Sequence, residues 1–253
     1  MSNFDALILG TLQGLTEFLP VSSSGHLLLY KSLKGPSNHD LFFFLICHLG
    51  TLLSVFFVFQ KQLISFFFAK KNLTKIFISI LPLFTVPFIK TDIQNLFFNT
   101  KYLGFFFLIT SLVLWIGNTY SKPKKEQSSY LSCFLIGICQ AIAVLPGISR
   151  SGMTISCARL LNWELSEAIF YSLMLSVPTI LGGAVLELRE VTTTSLNANE
   201  LWFPWVIGFT TAFVSGYFSL KWLVKNPSKL KFKICISYTL GIGILTLLGN
   251  LFF

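Results

Sequence analysis

Apolar residues run through this chain in stretches of about 20, the length that crosses a bilayer as a helix. Six such runs are predicted to span, at about 40–60, 76–92, 103–120, 165–188, 202–222 and 233–253. The second is short and carries Pro82 and Pro87. Two further apolar stretches, 3–30 and 130–161, are long enough but are broken midway by proline, serine and glycine. Unpaired backbone cannot face lipid at that depth. Both stretches are therefore expected to be re-entrant helix–loop–helix hairpins enclosed by protein, each ahead of three full spans. The expected fold is an all-α polytopic membrane protein, with two re-entrant hairpins plus about six transmembrane helices.

The two broken stretches also match each other. At an offset of 127 residues, Gly10 falls on Gly137, Gln13 on Gln140, Ser22 on Ser149, Ser24 on Ser151 and Gly25 on Gly152. Only the proline slips, with Pro20 one residue out of step with Pro146. The offset is half the chain, so residues 1–253 read as one membrane domain made of two fused copies, about 1–125 and 126–253. Three spans per copy is an odd number, which turns the second copy upside-down relative to the first. The result is an inverted-topology repeat whose broken hairpins enter from opposite faces and meet near mid-membrane.

Composition agrees with a membrane chain. Mean hydropathy is +0.72, 53% of residues are hydrophobic, only 11% are charged, and 28 are phenylalanine. The net charge of +9 would suit nucleic acid on a soluble fold, but here the basic residues gather between apolar runs. Lys61, Lys70, Lys71 and Lys75 lie in the connection 61–75; Lys122, Lys124 and Lys125 in 121–126; Lys221, Lys225, Lys229, Lys231 and Lys233 in 221–233. The positive-inside rule places these connections in the cytoplasm and both termini outside. Asp92, Glu187, Glu190 and Glu200 fall at the alternate connections, while Lys31, Lys34, Lys90, Lys101 and Arg189 are left outside. No nucleic-acid partner is expected. The cysteines at 47, 133, 139, 157 and 235 are odd in number and sit in or beside apolar runs, so reduced thiols are expected. The N-terminal stretch lacks a basic region and holds Asp5 and Glu17, which argues against a cleaved signal peptide.

The copies differ where chemistry would reside: the first supplies Glu17 and His26, the second Arg150 and Thr154. A charge inside a membrane segment costs at least about 2.5–3.5 kcal/mol, so it needs a partner or a purpose. If the repeat holds, Glu17 and Arg150 approach each other. A buried ion pair that merely joins the hairpins is the plain explanation. The surrounding hydroxyls of Ser22, Ser23, Ser24, Ser149, Ser151 and Thr154, with backbone N–H groups at helix N-termini, instead compose a cradle for an anion. Loop-forming and capping roles would account for one or two of these serines. The planar fork of Arg150 suits phosphate oxygens. His26, at the loop exit, could attack phosphorus or move a proton. His48 reads as a hydrogen-bonded structural histidine and His39 as a loop residue. Gln13 and Glu17 share a helix face at i, i+4, where their oxygens could hold Mg²⁺ or Ca²⁺ on a diphosphate. Glu17 could also act as a general base.

Gln13-Gly-Leu-Thr-Glu17-Phe-Leu-Pro-Val-Ser-Ser-Ser-Gly-His26 resembles the first signature of the bacitracin-resistance family of undecaprenyl-diphosphate phosphatases. Gln13 and Glu17 meet its (Glu/Gln)-x-x-x-Glu motif and His26 its histidine. Pro146-Gly-Ile-Ser149-Arg150-Ser151-Gly-Met-Thr154 resembles the family's Pro-Gly-x-Ser-Arg-Ser-x-x-Thr signature, and the likeness extends over the whole chain. The resemblance implies hydrolysis of undecaprenyl diphosphate to undecaprenyl phosphate and inorganic phosphate at the outer face of a bacterial plasma (inner) membrane. It further implies recycling of the peptidoglycan lipid carrier, bacitracin resistance and a divalent cation. On this reading Glu17, His26, Arg150 and Ser23 are catalytic, and Gln13, Ser22, Ser24, Ser149, Ser151 and Thr154 bind substrate. Either the histidine or a serine is the nucleophile. The partners are the lipid substrate and the bilayer, and a homodimer is compatible with the pattern.

Two rivals remain. Ser23-Ser24-Gly25-His26 is similar to a motif of acid-phosphatase-like lipid phosphatases, but those need a later histidine and none follows His48. A transporter or flippase for a phosphorylated polyprenyl lipid would use the same inverted repeat and the same anion cradle.

Overall fold

The computed structural model describes residues 1–34, 40–89, 100–122, 129–191, 198–225 and 232–252. His39, Lys90, Asp92, Lys124, Lys125, Lys229 and Lys231 lie outside them, as do the side chains of Glu187, Arg189, Glu190 and Glu200. Among the described residues the fold is helical throughout. The first half contains α1 (Asn3–Thr16), α2 (Ser23–Lys34), α3 (Asp40–Phe68), α4 (Lys70–Ile80) and α5 (Leu103–Thr119). The second contains α6 (Tyr130–Ile142), α7 (Arg150–Leu160), α8 (Leu165–Val191), α9 (Ala198–Lys225) and α10 (Phe232–Phe252). Among the described residues five stretches are long and apolar enough to cross a membrane, in α3, in α4 with its 3₁₀ continuation, and in α8, α9 and α10. The sixth expected span, α5, has 17 residues and a length of about 26 Å, at the short limit for a bilayer. The chain is a multi-pass membrane protein.

Both broken stretches form helix–loop–helix hairpins. Ser2 caps α1 by accepting from Asp5 N (3.1 Å), and Asp5 reciprocates to Ser2 N (3.4 Å). Ser129, at the matching offset, caps α6 by accepting from Ser132 N (3.1 Å). The chain leaves helical geometry over 17–22 and again over 143–149. Ser22 adopts φ 68° and Gly147 φ 93°, left-handed turns that re-aim each chain into the next helix. Asp5 at the start of α1 accepts from the Tyr30 hydroxyl (2.7 Å) and pairs with Lys34 Nζ (3.7 Å) near the end of α2. The first hairpin therefore returns to the level at which it began.

Packing uses small residues, as expected where lipid competes for apolar contact. α1 lies against α9, where a Cβ on Gly14 would stand 2.5 Å from Gly216 N and 2.6 Å from Ala212 O. Ser215 and Ser219 of α9 donate to the carbonyls of Thr11 (3.3 Å) and Leu15 (3.1 Å). On the other half α6 lies against α4, with Gly137 seated on the Ser79 backbone. α3 packs on α8 and α9, and α5 packs on α10. Outward-facing side chains such as Phe57, Phe68, Phe88, Leu131, Phe218 and Leu245 are exposed, as a lipid-facing surface requires.

Two boundary expectations need correction. The connection placed at 61–75 is helical: α3 continues past Lys61 to Phe68, and α4 begins two residues later at Lys70. The apolar residues between Leu63 and Phe68 extend the helix, and Phe59 absorbs a bend at φ −113°, ψ 19°. The span expected at 76–92 begins at Lys70 and changes to a 3₁₀ helix over Leu81–Ile89. Pro82 and Pro87 lack the N–H groups that a continuing α-helix would use.

Candidate active site

The two hairpin loops meet. A Cβ on Gly25 would lie 2.5 Å from the Phe107 ring and 3.1 Å from Gly147 Cα, so α2 enters directly against the second loop. Thr110 of α5 fixes that loop by donating to Gly147 O (3.0 Å) and accepting from Ser149 N (3.0 Å). Ser151 Oγ donates to Leu19 O (3.0 Å) in the opposite loop. Each loop ends in a serine that caps the following helix: Ser22 Oγ accepts from Gly25 N (3.4 Å), and Ser149 Oγ from Gly152 N (3.1 Å). Ser24 and Ser151 stand beside these caps, 3.5 and 3.2 Å away hydroxyl to hydroxyl.

Between the loops Glu17 Oε1 accepts from Arg150 Nη2. The other carboxylate oxygen, Oε2, accepts from Gln13 Nε2 (2.8 Å) and from Ser23 Oγ (2.7 Å). Glu17 is almost fully enclosed, its side chain 3% exposed against 17% for Arg150. A buried carboxylate is stable only when its oxygens find donors, and here guanidinium, amide and hydroxyl supply three.

This group forms one end of a cavity of about 320 Å³, a volume suited to a small polar head. Glu17, Ser22, Ser23, Ser24, Ser149, Arg150 and Ser151 line it. The N-termini of α2 and α7 thus open toward one space, each presenting hydroxyls and a partial positive charge. The remaining wall is largely apolar, with Leu41, Phe44, Val86, Ile148, Ile180 and Leu186. A polar end with an oily wall accommodates an anionic head on a hydrocarbon tail.

Three expected site residues stand behind this wall. Gln13 is fully buried and holds Glu17 through its amide nitrogen, leaving its Oε1 without a partner. Thr154 donates within its own helix to Arg150 O (2.9 Å) and meets Ser172 Oγ (2.7 Å), so it fixes the start of α7. His26 is packed edge-on to Phe107 and stacked with Tyr238. Its Nδ1 lies 2.7 Å from Ser22 O, which can only accept, so Nδ1 carries the proton; Nε2 then accepts from the Tyr238 hydroxyl (2.6 Å). His26 thereby holds the carbonyl of the left-handed residue that turns the first loop.

The structure also brings in residues the sequence did not single out. His48, expected to be structural, lines the cavity. Its Nδ1 donates to Phe44 O (2.7 Å), which leaves Nε2 facing Glu17 Oε2 at 3.6 Å. Its i, i+4 bond to Phe44 is an ordinary local feature, and only the approach of α3 to the first loop reveals the second contact. Tyr238 is supplied by α10, 212 residues away from His26, and nothing local marks it. Among the described residues no three His, Cys, Asp or Glu side chains cluster closely enough to hold a metal alone. A hard cation would find the Glu17 carboxylate at the cavity end, whereas the partnerless Gln13 amide oxygen lies behind the wall and would reach such an ion only with its amide turned over.

Comparison with known proteins places this arrangement. Residues 6–245 match the family model described as bacitracin resistance protein BacA. An undecaprenyl-diphosphatase of Protochlamydia amoebophila is 39% identical, the match covering 98% of each chain. Undecaprenyl-diphosphatases of Carboxydothermus hydrogenoformans and Halothermothrix orenii are 36% and 34% identical, again over 98% of each chain. With its paired signatures, its meeting hairpins and this full-length likeness, the chain belongs to the bacitracin resistance protein BacA family.

Proposed function

We propose that this protein hydrolyses undecaprenyl diphosphate to undecaprenyl phosphate and inorganic phosphate, recycling the lipid carrier of peptidoglycan synthesis and so conferring bacitracin resistance. The observation that carries the reading is the Ser23–Glu17–Arg150 group in a cavity with an apolar wall. Ser23 Oγ already donates to Glu17 Oε2 at 2.7 Å, the relation of a nucleophile to its base. Ser23 attacks the terminal phosphorus as its proton passes to Glu17. The bond from that phosphorus to the bridging oxygen breaks, and undecaprenyl phosphate leaves. Glu17 passes that proton to the departing undecaprenyl phosphate; the freed carboxylate then deprotonates the water that attacks the phosphoserine, and returns the proton to Ser23 Oγ as inorganic phosphate leaves. Arg150, the hydroxyls of Ser22, Ser24 and Ser149, and the N–H groups at the starts of α2 and α7 carry the phosphoryl charge, which is most of what this chemistry needs, with Ser151 holding the second loop to the first beside them. Gln13, Thr154 and His26 hold Glu17, the start of α7 and the first loop in place.

A divalent cation, Mg²⁺ or Ca²⁺, belongs to the same proposal: Glu17 would hold it, joined by Gln13 with its amide turned over, and it would neutralise diphosphate charge when bound. The two-copy organisation, about 1–125 and 126–253 in opposite orientations, is supported by the element order, since α1–α5 correspond in sequence to α6–α10. The proposed location is the bacterial plasma (inner) membrane with the site toward the outer face. The proposed partners are the lipid and the bilayer, without nucleic acid, and a homodimer is testable by mass measurement in detergent.

The test is phosphate release from undecaprenyl diphosphate in micelles by wild type, Ser23→Ala, Arg150→Ala and His26→Ala, with and without chelator. Arg150→Ala should lose about 10²–10³-fold and Ser23→Ala should lose more. Quenching in denaturing detergent at alkaline pH during turnover should trap phosphate on Ser23 that survives later acid treatment; phosphate released by that acid treatment would move the attack to His26. Wild type that binds the lipid but releases no phosphate would refute hydrolysis in favour of a lipid carrier.

A further inference from the structure

The internal match of the two hairpins exposes one side chain whose partner is missing. In the first hairpin Gln13 Nε2 donates to Glu17 Oε2 at 2.8 Å. At the same offset the second hairpin has Gln140 followed four residues later by Val144, so the amide persists and the carboxylate is gone. Gln140 is 1% exposed, and its Nε2 is buried without any hydrogen-bond partner. Thr179 of α8, whose hydroxyl donates to Leu175 O (2.7 Å), stands 3.3 Å from Gln140 Oε1. The amide has two N–H bonds, and whichever way it is turned Thr179 can accept at most one. An acceptor is therefore missing in every arrangement. Leaving a buried donor unmet is costly, and of the described buried side-chain atoms without a partner, Gln140 Nε2 is the one whose residue lines the cavity.

Gln140, Val144 and Thr179 all line the cavity that holds Glu17 and Arg150. Around them the wall turns apolar, through Ala143, Val144, Ile180 and Gly183. A head group whose terminal phosphate sits on Ser23 and Arg150 must pass its other phosphate toward this wall, where its tail begins. We propose that the Gln140 amide donates to an oxygen of the lipid-proximal phosphate, replacing the carboxylate that its counterpart Gln13 meets in Glu17. Gln140 then recognises what substrate and lipid product share, while Arg150 and Ser23 recognise the phosphate to be removed. This rests on the phosphatase reading for the identity of the ligand.

The test is direct binding of farnesyl monophosphate and of inorganic phosphate, separately, to wild type and Gln140→Leu in the same detergent. Leucine keeps the volume and removes both donors. The expected result is about a tenfold loss of farnesyl monophosphate affinity, inorganic phosphate affinity unchanged within about twofold, and a ligand-free melting temperature no lower than wild type. Equal loss for both ligands would assign Gln140 to the terminal site and overturn the proposal, as would no loss for either. A fall in ligand-free melting temperature would make Gln140 a structural residue. Gln140→Met repeats the measurement should the leucine variant not remain monodisperse. Because binding is read without turnover, a wild type that fails to release phosphate refutes hydrolysis while leaving the outcome for Gln140 separate.

Discussion

Replacing Glu17 by glutamine tests the composite site most severely. The substitution keeps the shape and one oxygen acceptor for Gln13 or Ser23, but it removes the charge that faces Arg150. Breaking an enclosed ion pair by neutralising one partner costs about 3–5 kcal/mol. Arg150 is 17% exposed to the cavity, where water can take over part of its solvation, so the lower end, about 3 kcal/mol, is expected. For a chain of this size that corresponds to a fall of roughly 6–12 °C in apparent melting temperature. Arg150→Met alone strands Glu17, which is more deeply enclosed at 3%, and should destabilise at least as much. The double variant removes both charges and should recover most of the loss, with a coupling of at least about 2 kcal/mol. Thermal unfolding in one detergent at one scan rate reads all four proteins, because irreversible unfolding makes the midpoint rate-dependent. Phosphate release should be lost in every variant, including the restabilised one. A double variant as unstable as the sum of the singles would refute the pairing, and Glu17→Gln activity within tenfold of wild type would refute the base.

Three other outcomes follow from particular contacts. Gly14→Ala places a Cβ 2.5 Å from Gly216 N and should destabilise by about 1–3 kcal/mol, seen as a lower melting temperature, whereas alanine at the open Gly182 should be tolerated. Tyr238→Phe removes the hydroxyl at His26 Nε2 and should lower kcat by about tenfold or less, with His26→Ala worse; an unchanged rate in both would discharge the His26–Ser22 link from catalysis. His48→Leu replaces the nitrogen facing Glu17 Oε2 with a methyl surface and should reduce kcat/KM by about tenfold without a loss of stability; wild-type kinetics would make His48 a bystander.

The hairpin boundaries were legible because their causes are local. Ser2 and Ser129 cap, Pro20 and Pro146 interrupt, and Ser22 and Ser149 restart a helix within a few residues of sequence. The junction after α3 was not legible, since Lys61 reads as a loop charge until the apolar turn from Leu63 to Phe68 is seen to pack onward. His48 was hidden for a related reason. Its local bond to Phe44 satisfies one nitrogen, and the other is aimed by the packing of α3 against α1.

Hydropathy, the matched motifs and the unmatched Glu17 and Arg150 by themselves determined a membrane-embedded, all-helical chain with two broken hairpins and one acid–base pair between them. These follow from composition, periodicity and spacing, which act over a turn or two of helix. Only the tertiary structure decided which hydroxyls face the cavity, that His26 and Thr154 stand behind it, that His48 joins Glu17, and that Gln140 keeps an unmet donor. Those facts depend on the direction in which each helix approaches the two loops. That direction is set by close packing at Gly14, Gly25 and Gly137, through contacts between residues far apart in the chain.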